Sequence, residues 1–133
     1  MNSHQEKLSI LSEMIAFAKV DGTVKEPEYN FLSGVADHLG VDNQDFEALF
    51  NTKTEHVVPK SEADRIVQFH RLVLLMNIDQ VQTEKEIARL HNLGLGMGLR
   101  PTAIDQVLKV MHDYPNKVVP AQVLINIFKA HYN

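Results

Sequence analysis

Four carboxylates stand at matched places in this chain. Asp21 and Glu28 lie seven residues apart, and sliding the sequence by 58 residues lays them on Asp79 and Glu86 without a gap. In each copy the Asp closes one apolar-periodic stretch and the Glu opens the next. If two such loops approach each other, four hard oxygen donors converge, with Glu26 and Glu84 nearby. A donor set of that kind suits Ca²⁺, Mg²⁺ or Mn²⁺, and Zn²⁺ is a fourth ion to try. The same residues also have work to do without a metal. Asp is common where a helix turns, and a Glu in a first helical turn gains about 0.3–1 kcal/mol from the helix dipole. Both readings stay open at the level of residue types.

Other chemistry is harder to build. An EF-hand loop needs oxygen ligands at alternate positions, Gly at the sixth and Glu at the twelfth. Counted from Asp21, the third position is Thr23, the fifth Lys25, the sixth Glu26 and the twelfth Leu32, so the pattern fails. Gly94-Leu95-Gly96-Met97-Gly98 invites a phosphate-loop reading, but such a loop follows a strand and opens a helix. Here the glycines fall near the end of a helical pattern, where Gly94 aligns with Ala36 as a small residue for close helix contact. The histidines (His4, His38, His56, His70, His91, His112 and His131) make no pair four apart on one helical face. No serine sits in a nucleophile-elbow context. No catalytic residue and no organic cofactor are expected.

The elements that must position the four acids are helical throughout. Leu8, Leu11, Ile15 and Ala18 mark a helix over about residues 4–20. Pro27 suits the start of the next, whose buried face is Phe31, Leu32, Val35 and Leu39 and whose left-handed stop is Gly40. Asp42 or Asn43 caps a short third helix carrying Phe46, Leu49 and Phe50. After a connector at about 51–59, Ser61 caps a helix with the stripe Ile66, Phe69, Val73 and Met76. Thr83-Glu84-Lys85-Glu86 reads as a capping box, whereas the matching cap position in the first copy is Lys25, a weaker cap that leans on Pro27. A sixth helix runs to about His112. A seventh, from Pro120 to about His131, is apolar around most of its circumference, with Val123, Leu124, Ile125, Ile127 and Phe128. Such a helix is buried in the core or against another chain, so a protein partner or a homodimer is the second expectation for it.

The expectation is therefore an all-α fold of about seven helices forming a single domain over 1–133. Repeat 1 spans about 4–50, repeat 2 about 61–112, and the C-terminal helix about 120–131. Three helices bury their stripes poorly alone; two copies stacked about a pseudo-twofold axis bury them better.

Composition bounds the setting. At 133 residues and 44% hydrophobic, the chain can fill one core. Its net charge of −4 comes from an acid excess in residues 1–58, which argues against a phosphate backbone as partner. No apolar run approaches the roughly 18 residues of a membrane span, and the N-terminus lacks a secretory pattern. The absence of cysteine removes disulfides, thiolate zinc sites and cysteine nucleophiles, and fits a cytoplasmic protein.

The stretch Ala18-Lys19-Val20-Asp21-Gly22-Thr23-Val24-Lys25-Glu26-Pro27-Glu28, followed by Leu39-Gly40-Val41, resembles the TerB-like family. That family is known from tellurite resistance proteins and from a domain of membrane-anchored DnaJ-type co-chaperones. The resemblance extends over about residues 8–112. It implies an all-α fold of about seven helices, no enzymatic activity, engagement of other proteins in a stress response, and an acidic site for divalent cations. Carried over position by position, that site is Asp21 and Glu28, with Asp79 and Glu86. The second copy departs from the pattern: Gln80 replaces the glycine, Gln82 stands where the first copy has Val24, and Met76 replaces the alanine. No J-domain or membrane anchor is read, so a co-chaperone role is not expected to transfer.

Overall fold

A computed structural model describes residues 3–52, 54, 57–78 and 82–131, with the side chain of Asp21 excepted. Among the described residues the chain is helical, with seven α-helices, short 3-10 turns and no strand. It resolves into two compact units, Met1–Pro59 and Lys60–Asn133.

The first unit holds α1 (His4–Ala18), a 3-10 turn (Lys19–Asp21), α2 (Glu26–Leu39) and α3 (Asn43–Ala48). Ser3 starts α1 by accepting the Glu6 N–H on its hydroxyl at 3.1 Å. The regular helix stops at Ala18, and the 3-10 turn tightens the expected last residues. Ile10, Leu11, Met14, Ile15, Phe17 and Ala18 are buried along α1, and Leu32 and Ala36 along α2. Gly40 takes φ +76°. That left-handed step lets the Val41 N–H reach back to the Ala36 carbonyl at 2.9 Å. Asp42 caps α3 through the Asp45 N–H at 2.8 Å. Phe46 is fully buried against Tyr29 and Phe50, with ring centroids 5.6 and 5.3 Å away.

The second unit holds α4 (Glu62–Met76), α5 (Glu84–Gly96), α6 (Pro101–Val110), 3-10 turns at Met111–Asp113 and Pro115–Lys117, and α7 (Ala121–His131). The 58-residue offset reappears in the helix bounds: His4–Ala18 moved by that distance becomes Glu62–Met76, and Glu26 becomes Glu84. The punctuation repeats with it. Ser61 accepts the Asp64 N–H at 3.1 Å, as Ser3 does for α1. Gly98 takes φ +79°, and the Leu99 N–H returns to the Gly94 carbonyl at 3.0 Å. At Gly94 the small-residue expectation holds. A Cβ there would stand 2.6 Å from Ile104 Cδ1 and 3.1 Å from Phe69 Cε1.

Gly96 is the last residue of α5, so it carries little of the interior helix cost. One expectation changes: the final helix has a wet side. Leu124, Ile127 and Phe128 are buried, Val123 and Ile125 are half-buried, and Gln122, Asn126 and Lys129 are exposed. It packs within its own unit against α4 and α6, with Phe128 edge-on to Phe69 at 5.8 Å.

Candidate metal site at the helix corners

Glu28 is the third residue of α2, and its Oε1 accepts the Lys25 backbone N–H at 2.9 Å. A lysine side chain has no acceptor with which to complete the exchange, so the cap at this corner is one-sided and rests on the glutamate. Glu86 holds the same place in α5. Its Oε1 accepts the Thr83 N–H at 3.1 Å, and the Thr83 hydroxyl accepts the Glu86 N–H at 3.1 Å. The capping box read from the sequence is present in full. Glu28 is 8% and Glu86 7% exposed, so both carboxylates are taken out of bulk water and directed at helix N-termini. Helix N-termini favour negative charge, since their first amides lack carbonyl partners. Glu26 and Glu84, also in the first turns, are exposed.

Asp21 closes the 3-10 turn, where the Gly22 N–H donates to the Lys19 carbonyl at 2.9 Å and Gly22 takes φ +122°. The Asp21 side chain and all of Asp79 lie outside the described residues. Among the described residues no group of three or more His, Asp or Glu side chains comes together to hold a metal ion. Each of Glu28 and Glu86 already spends one carboxylate oxygen on a backbone amide.

Sequence reading missed several polar contacts. His91 Nε2 is 3.2 Å from Asp105 Oδ1 between α5 and α6. His131 bonds Thr102 Oγ1 through Nδ1 at 2.9 Å and Gln106 Oε1 through Nε2 at 2.7 Å. His70 Nε2 lies 2.7 Å from the Val119 carbonyl, so that nitrogen carries the proton and donates. Asn77 is 4% exposed and donates to the Lys117 carbonyl at 3.2 Å. These partners are far apart in sequence, and no local pattern announces them.

Two titratable groups are displaced. Tyr29 is raised above 10.0, first because its hydroxyl donates to the Glu47 carboxylate, then by burial and by the Glu47 charge. Burial pulls the Arg71 guanidinium below its ordinary value, while the Asp64 charge acts the other way.

Among the described residues no helix is long and apolar enough to cross a membrane. The family model described as "Tellurite resistance protein TerB" matches residues 1–51. The matched stretch carries α1 to α3 and the Asp21…Glu28 corner, and it supports a TerB-like assignment. No curated protein and no solved structure matches the chain.

Proposed function

We propose, with the TerB-like assignment of residues 1–51 as premise, that this chain acts without catalysis, as a helical protein that engages other proteins in a stress-response setting inside the cell. The observation that carries the reading is the employment of Glu28 and Glu86. The acids that recur most regularly are buried cap acceptors that fix the entry of α2 and α5. They set the shape of a scaffold and leave recognition to its surface. The test is chemical crosslinking of the full chain in living cells, with and without tellurite. Discrete partner proteins whose recovery rises under stress are the expected result; recovery of the chain alone in both conditions contradicts it.

A divalent cation at the corners is the second reading, favoured by the recurrence of the Asp-to-Glu spacing in both copies. Calorimetry with Ca²⁺, Mg²⁺, Mn²⁺ and Zn²⁺ on the wild type and on Asp21→Asn/Asp79→Asn addresses it. A heat present in the wild type and absent from the variant supports the site. Equal heats for the two proteins dispose of it.

A further inference from the structure

The two units build the same corner and fill it differently. In the first unit Tyr29, on α2, lies against α3 and the turn after it. Its ring stands 5.6 Å from Phe46 and 5.7 Å from Phe50, and its hydroxyl donates to the Glu47 carboxylate. Moved by 58 residues, Tyr29 becomes Ile87, and its three partners become Ile104, Asp105 and Leu108. The helices that carry them start in register: α2 and α5 at Glu26 and Glu84, α3 and α6 at Asn43 and Pro101. The helical frame recurs, while the side chain at the tyrosine position is smaller and brings no hydroxyl.

An open cavity of about 400 Å³ lies at that position, within the ~300–1,000 Å³ of ligand clefts. Among the described residues, Ile87, Ala88 and Leu108 give it apolar walls, and Glu84, His91 and Asp105 stand among its polar lining. Ile87 and Leu108 are half-buried and Ala88 is exposed, so the walls are reached from solvent. His91 Nε2 lies 3.2 Å from Asp105 Oδ1, and the Asp105 side chain is 68% exposed. A carboxylate accepts at two oxygens, so the acid has capacity for a further donor.

We propose that this cavity receives a phenol, in the form of a tyrosine side chain presented by a partner protein. The ring lies on Ile87 and Leu108, as Tyr29 lies on Phe50, and the hydroxyl donates to Asp105, as Tyr29 donates to Glu47. The walls alone would accept any apolar side chain; the carboxylate selects one that carries a donor. Charge narrows the choice further. Glu84 and Asp105 are both acidic, so an anionic side chain is repelled where a neutral phenol is not. The inference rests on the interaction reading above and names the partner side chain that the second unit takes.

The test is an NMR titration of the isotope-labelled full chain with N-acetyl-tyrosinamide, its O-methyl ether and its O-phosphate. The tyrosine derivative shifts the amides of Ile87, Ala88, His91, Asp105 and Leu108. The ether keeps the ring but cannot donate, and binds about three- to tenfold more weakly. The phosphate does not bind. Ile87→Tyr, which places the first unit's own ring in the cavity, and Ala88→Arg, which crowds it from an exposed position, each abolish the shifts. No shift at the solubility limit, shifts centred elsewhere, or equal affinity for the phenol and its ether overturns the inference. Crosslinking in cells with Ala88→Arg separates it from the broader reading. Partners lost from that variant support the cavity as their site. Partners captured equally by both proteins refute the cavity and leave the interaction role intact; no partner with the wild type refutes the role itself.

Discussion

At the scale of single residues, the corner glutamates decide between architecture and chemistry. Each satisfies a helix N-terminal amide that water reaches poorly. Glu28→Ala and Glu86→Ala are each expected to lower unfolding free energy by about 0.5–2 kcal/mol in urea titrations, because a partly buried N–H loses its acceptor. Glu28→Gln keeps an oxygen acceptor and should lose much less. The larger loss is expected at Glu28, where no side chain of Lys25 shares the cap. The Glu86 box was legible because Thr and Glu stood at cap spacing. The Glu28 half-box was half legible, since Lys25 gave no sign that its backbone would be held from the other side. A second residue-scale expectation concerns Tyr29. Its hydroxyl donates to Glu47, and removing the phenolic proton would leave two anions facing each other. Absorbance titration should place its ionisation above 10.0 in the wild type and lower it in Glu47→Gln.

At the scale of elements, packing sets the tolerances. Gly94 lies where α5 meets α6 and α4, and a methyl group there has no room beside Ile104 and Phe69. Gly94→Ala should cost about 1–3 kcal/mol by overpacking, and Ile104→Val in the same chain should return part of it. Gly96 has open space around it and an ordinary backbone, so Gly96→Ala is neutral or stabilises by up to about 1 kcal/mol. Phe128 anchors α7 edge-on to Phe69; Phe128→Ala should cost about 3–5 kcal/mol in thermal or urea unfolding. Ile125 is half-buried at the edge of the same helix. If α7 also joins two copies, Ile125→Glu converts a sedimenting dimer to a monomer with its fold retained. Helix positions were readable from period, caps and the paired glycines. The wet side of α7 was not, since composition counts apolar residues without fixing which of them meet α4 and α6. The turn at Asn116 and Lys117, with φ of +56° and +58°, had no glycine to announce it.

At the scale of the whole molecule, one helical plan is used twice and finished in two ways. The copying was legible because caps, stops and buried positions recur at a constant offset. The difference in finish was not. It depends on contacts between residues 40 and 49 apart, Asn77 with Lys117 and His70 with Val119, and on Val57 settling at Ser9 in the first copy. The most direct measurement is urea unfolding of Glu28→Ala beside Glu28→Gln. A loss of about 0.5–2 kcal/mol for the alanine variant and a much smaller one for the glutamine variant is predicted, since glutamine keeps an oxygen for the Lys25 amide. Equal losses for the two, or none for alanine, would contradict the corner glutamates as cap acceptors.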